Sequence, residues 1–484
     1  MIAARARHDG GGSTVARLYG PVLLVTASFI VTRGAAYSAG VRFDAGTLED
    51  YWQYIDPELL RTRLLESLFY LHSQPPLFNL LLGGVLKLAP DHFGGAMHAV
   101  YLVLGLVLSL AMYLVLVRVG LGRWASAVVA ALLSATPAFL LYENWLFYEY
   151  PVAALLVLSA LALSEFLRRG TFLSASAFFV LLASIIYARS LFQIAWLLLA
   201  LGLLLAVRPD LRRTVLLASA LPVLVVLLLI VKNVLVFGVP ATSSWFGMNL
   251  AQVVYYAIPA ADRRPYVERG ELSRVSLIDP FSAPADYLPF VPAPRATGVP
   301  VLDQFVKSEG SRNLNNKIMI DVSRDYFRDS LHLARVRPGA YARAIVDGGK
   351  LYLRPTNVGG QNQSKLGAYE DLFNRVVLLQ TRYVVDFGWT ILAAHVFALA
   401  YGLRLTYRLL RRRLVASVAS VTLAYVWLTV AYTTVIVTFA QVAENDRIRF
   451  LLDPLVVILL AVPVRNALRR VVLRGSPSGA GVAV

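Results

Sequence analysis

Apolar residues run for about twenty positions at a time along most of this chain, and a helix of that length covers the hydrocarbon of a bilayer. Such runs occupy 18–34, 97–117, 124–141, 150–166, 171–188, 190–207, 214–237, 384–403, 414–439 and 448–464. A shorter run at 76–90 opens on Pro75-Pro76 and carries Gly83-Gly84 and Lys87, which suits a surface or re-entrant helix better than a span. The pattern predicts an all-α polytopic membrane protein with about ten transmembrane helices.

Between 238 and 383 the long apolar runs stop. Prolines 284, 289, 292, 294 and 300 mark turns, while 303–350 carries apolar residues at three-to-four spacing and reads as helical. The chain therefore divides into 1–237, which includes a first polar loop at 35–96, then 238–383, then 384–484.

Leaving 76–90 out of the count places every Arg-rich short loop on one side, around 118–123, 168–169, 208–213, 404–413 and 465–474. The positive-inside rule makes that side cytoplasmic, together with both termini. The external side then receives 35–96, the turn 142–150, the turn at Arg189, the region 238–383 and the turn 441–449. The basic tail 1–16 before the first span has no small-residue cleavage site and reads as a retained anchor.

Composition agrees: 58% of residues are hydrophobic and 15% charged, against about half and a quarter in soluble domains. The net charge of +17 comes largely from the Arg-rich loops, so it speaks for topology and anionic headgroups and against nucleic acid. With no cysteine, disulfides, thiolate metal sites and thiol nucleophiles are excluded. There is no nucleotide-binding glycine loop, which disfavours ATP-driven work.

The candidate chemistry gathers on the external side. The stretch from Arg42 to Asn79 holds Asp44, the run Glu49, Asp50, Tyr51, Trp52, Tyr54 and Asp56, and His72-Ser73-Gln74-Pro75-Pro76. Asp44 fits a general base, or else a solvated N-cap before Thr47. Arg189, Lys232, Arg447 and Arg449 lie near the outer ends of spans, where cations run against the positive-inside bias. They fit phosphate, and snorkelling to headgroups competes. One of Glu143 and Glu149 fits a role in orienting an acceptor or partnering Asp44, against a helix-end carboxylate in an aromatic belt. His72 fits a phosphate or acceptor contact, or a structural turn before two prolines. Trp245 and Asn249 fit stacking and hydrogen bonding to a sugar, or an interfacial anchor and cap.

An external Asp44 soon after the first span, then H-x-x-P-P-L-F-N opening an apolar helix, resembles the first external loop of the GT-C glycosyltransferases. These include protein O-mannosyltransferases and the lipid A aminoarabinose transferase. Glu143 and Glu149 look like their second external loop, and ENDRIRFLLDP at 444–454 looks like their late E-x-x-R-x-R turn. The resemblance covers most of the membrane part but not 238–383, and Asp44-Ala45 stands where many members have Asp-Glu.

The resemblance implies a GT-C-like fold in a bacterial inner membrane, with external juxtamembrane helices. It also implies transfer of a sugar from a polyprenyl-phosphate donor, with inversion, to a glycan, lipid or protein acceptor of the cell envelope. Asp44 is then the base, Lys232, Arg447, Arg449, Arg189 and His72 serve the donor phosphate, and Trp245, Asn249 and Glu444 serve the sugar or acceptor. A divalent cation is the one cofactor left open. The alternatives are a transporter or flippase of lipid-linked sugars, disfavoured by clean spans and absent repeats, and a glycan ligase or polymerase.

Overall fold

The computed structural model describes residues 11–356, 362–381, 387–441 and 444–475. Regular structure is almost all helical; the described strands are Gln380–Thr381 and Phe387–Gly388, antiparallel with Gln380 opposite Gly388. Among the described residues six helices are long and apolar enough to cross a membrane: Tyr19–Ser38, Pro90–Arg118, Glu149–Arg169, Pro209–Phe237, Trp389–Leu410 and Val418–Ala440. The expected run at 124–141 is a pair, Arg123–Ser134 and Pro137–Glu143, bent by 62°. Pro137 causes the break, because a residue before proline is pushed out of the helical region, and Thr136 is extended.

The remaining expected spans are shorter or divided. Phe172–Ala188 has 17 residues and Ile194–Val207 has 14, and the last run is split between Asn445–Phe450 and Asp453–Gly475. The ambiguous 76–90 run forms the 12-residue helix Leu77–Leu88, which buries Phe78, Leu82 and Leu86.

Glu149–Arg169 is the axis of the membrane part, its apolar stretch 72% buried against 22% for Tyr19–Ser38. It packs on Phe93–Arg118, Phe172–Ala188 and Val418–Ala440. Beside its N-terminus lies a buried ion pair. Arg33 meets both oxygens of Glu143 at 2.8 and 2.7 Å, and Tyr150 donates to the same carboxylate at 2.5 Å. Gly105 makes room for it, since a Cβ there would come within 2.2 Å of Glu143 Oε2.

Residues 245–340 carry a core of their own, including Met248, Val254, Leu314, Ile318, Val322, Tyr326 and Leu333. The apolar stripe of Ile318–Val336 faces Phe246–Ala257. The two backbones are so close at Gly247 that a Cβ would fall 1.8 Å from the Ser323 carbonyl. This layer clamps the first polar loop. Lys307 donates to the Tyr51 carbonyl at 2.8 Å, Ser308 donates twice to Asp56, and the main-chain N–H groups of His72 and Ser73 donate to the Asn315 side chain.

Candidate active site

A cavity of about 360 Å³ opens where the clamped first loop meets the ends of the membrane helices. Its wall takes Trp52, Gln53 and Gln74 from the first loop, Tyr148 from the second and Arg189 to Leu191 from a helix turn. The rest comes from Trp245, Phe246, Asn249 and Gln252, from Phe281, from Ile436, Val437, Ala440 and Gln441, and from Glu444, Arg447 and Ile448.

Two arginines in that wall converge on one carboxylate. Arg189 caps Phe172–Ala188 in an extended conformation, and Arg447 sits on the short helix between Val418–Ala440 and the last helix. Both reach Glu149 Oε1, Arg189 through Nη1 at 2.5 Å and Arg447 through Nε at 3.2 Å, the latter too misaligned for a hydrogen bond. Glu149 is fully buried in the first turn of its helix, where the dipole favours an anion, and its Oε2 has no hydrogen-bond partner.

Arg447 is further fixed by Tyr51, whose phenol oxygen accepts from Nη1 at 2.6 Å, and by the Phe147 ring 4.7 Å below its guanidinium. Burial works against the charged form of Arg447, but Glu149, Tyr51 and Glu444 outweigh it and hold its pKa above the ordinary arginine range. Burial likewise raises the Tyr51 phenol. Glu444 pairs with Arg447 Nη2 at 2.7 Å yet keeps a side chain 48% exposed. Two buried cations and Glu149 leave one unit of positive charge, which in this structure the half-exposed Glu444 neutralises.

The structure thus brings together Glu149, Arg189, Arg447, Glu444, Trp245 and Asn249. Asp44 is not among the residues that line the cavity. Its main chain bridges the second loop, with Asp44 N donating to Asn144 O at 2.8 Å and Leu146 N donating to Asp44 O at 2.9 Å. Among the described residues its carboxylate accepts only from Gly46 N, at 3.0 Å. Trp145 of this bridge stacks on Phe147 at 4.6 Å, so Asp44 is linked to Arg447 through two rings.

The other expected residues lie elsewhere. Glu143 is locked in the Arg33 pair. Lys232 donates to the carbonyls of Phe69 and Leu71 at the end of Leu64–Phe69, not to the cavity. Arg449 lines a second cavity of about 270 Å³ with Thr356, Glu370, His395 and Asp453. His72 is fully buried, with Nε2 at 2.9 Å from the Asn315 carbonyl and Nδ1 at 2.7 Å from Ser244 Oγ. The carbonyl can only accept, so Nε2 carries the hydrogen and Nδ1 accepts from the serine. Burial lowers the pKa of His72 to about 3, so it brings no positive charge to a phosphate at neutral pH.

Sequence reasoning missed Arg33, Gln53, Gln252 and Phe281. Arg33 carries a readable signal, a basic residue inside an apolar run; the amides carry none. Among the described residues, no three of His, Asp and Glu are placed to hold a metal ion.

Because Arg33 has no other carboxylate among the described residues, Glu143→Gln is expected to strand a buried guanidinium and cost about 3–5 kcal/mol. Thermal unfolding in detergent checks this. An unchanged midpoint would show that the pair contributes nothing to the fold.

No family model matches the chain, and no curated protein does. Among solved structures it is similar to ArnT from Cupriavidus metallidurans bound to undecaprenyl phosphate, at 16% identity over 95% of this chain and 82% of that one, with a TM-score of 0.34. It is also similar to ArnT from the same organism in the apo state, at 15% identity over 93% and 89%, with a TM-score of 0.33.

Proposed function

We propose that this chain is an integral-membrane glycosyltransferase that moves a sugar from a polyprenyl-phosphate donor to an acceptor hydroxyl on the extracytoplasmic face. The observation that carries the reading is the pair Arg189 and Arg447, converging on Glu149 in the wall of a cavity at the membrane's edge. A phosphodiester needs fixed cations for the charge that grows as it leaves, and arginine presents a planar fork for that purpose.

Glu149 acts as the positioning residue that aims both guanidinium groups. In the reaction the acceptor oxygen attacks the anomeric carbon, the bond from that carbon to the phosphate oxygen breaks, and the lipid phosphate departs with the bonding pair onto Arg447 and Arg189. The acceptor proton passes to a carboxylate. Inversion requires that carboxylate to stand on the face opposite the leaving group. Glu444 is on the wrong side for this, because it already occupies the fork of Arg447. Asp44 therefore keeps the role of base, and Glu444 acts as a stand-in for the phosphate that steps aside when the donor arrives.

The two assignments make opposite predictions for Glu444→Gln. As a stand-in, its loss removes a competing anion, and KM for the donor is expected to fall about tenfold with kcat nearly unchanged. As a base, its loss would lower kcat by about 10²–10⁴.

The overall reading is tested with purified protein in nanodiscs, given polyprenyl-phosphate sugars and host membranes. Conversion of a donor to free polyprenyl phosphate, dependent on the acceptor membranes, is the expected result. Donor that moves between leaflets intact would replace the transferase by a transporter.

A further inference from the structure

The part of the cavity not taken by the arginines is walled by rings and amides. Trp52 packs on Phe281 at 4.7 Å and on Trp245 at 6.2 Å, and Trp245 packs on Phe281 at 5.2 Å. Gln53, Asn249 and Gln252 line the same space. Gln53 is only 9% exposed, and its Oε1 has no hydrogen-bond partner. A buried amide oxygen left unpaired at a cavity wall calls for a ligand that donates to it. Asn249 and Gln252, three apart on one helix, share a face. Among the described residues neither side chain is hydrogen-bonded to the protein.

Resting on the reading of this cavity as a lipid-phosphate-sugar site, we propose that this wall takes an uncharged sugar ring, a hexosyl or pentosyl group bearing hydroxyls alone. Amides both donate and accept, as hydroxyls do, whereas an ammonium only donates and a carboxylate only accepts. The charged residues in the wall are Arg189, Glu444 and Arg447, already engaged with Glu149 or with each other at the phosphate end. Ring substituents furthest from the phosphate meet the amides and aromatic faces instead. An ionised group there would be desolvated without a counter-ion.

The test uses the full chain in nanodiscs with three donors on one polyprenyl phosphate: a neutral sugar, its amino-substituted analogue and its carboxylate analogue. The neutral donor is expected to exceed both others in kcat/KM by about 100-fold or more. Equal or faster turnover of an ionised donor overturns the proposal and leaves the lipid-phosphate reading standing. Turnover of none overturns the proposal, and binding of bare polyprenyl phosphate then decides whether the underlying reading falls with it. As a second arm, Gln252→Leu is expected to cut kcat/KM for the neutral donor about tenfold or more without weakening binding of bare polyprenyl phosphate. Equal weakening of both would assign Gln252 to the fold and remove it from sugar recognition.

Discussion

Replacing Arg447 by methionine is expected to lower sugar transfer by about 10³-fold and, separately, to destabilise the protein by about 3–5 kcal/mol. The catalytic loss follows from removing the cation with the most complete setting in the cavity, held by Glu149, Glu444, Tyr51 and the Phe147 ring. The stability loss follows from Glu149, which is fully buried and would keep only Arg189. The two losses separate by design. Arg447→Lys keeps the charge but not the fork, so stability should fall little while transfer falls about 10–100-fold. Steady-state kinetics and thermal unfolding on the same preparations provide the check. Methionine and lysine variants with wild-type kinetics would remove Arg447 from the phosphate site.

Asp44→Asn carries the second large effect, a fall in kcat of about 10²–10⁴ with the fold intact. The fold should survive because the links of Asp44 to the second loop are made by its main chain, and asparagine can still accept from Gly46 N. Donor binding should also survive, because Asp44 touches neither of the arginines proposed to hold the phosphate. Unchanged kcat would mean that another carboxylate takes the proton, with Glu444 next in line because it lines the cavity.

The apolar runs make the helical architecture legible, since burial in lipid demands long apolar helices whatever the partner. They do not reveal where a helix breaks or how short it is. Thr136-Pro137 bends one run, and the run at 190–207 contains a helix of only 14 residues.

For the site, sequence gives depth in the membrane but not neighbours. Lys232 and Arg189 both lie near helix ends, yet Lys232 spends its donors on the carbonyls of Phe69 and Leu71 while Arg189 reaches Glu149. Arg447 and Arg449 share one motif, but two residues apart on a helix they point to different sides. One enters the cavity beside Glu149 and the other a second one. Glu143 and Glu149 likewise read alike, and only their partners, Arg33 for one and two cavity arginines for the other, tell them apart. The lone amides Gln53 and Gln252 belong to no motif and become visible only once the cavity exists.

The most direct test of the phosphate site is photo-crosslinking with a polyprenyl phosphate that carries a diazirine next to the phosphate, followed by peptide mapping. The account predicts label on the Arg189–Leu191 turn and on the 444–448 segment, competed away by unlabelled polyprenyl phosphate. Label confined to the surroundings of Lys232, or to the second cavity beside Arg449 and His395, would contradict it.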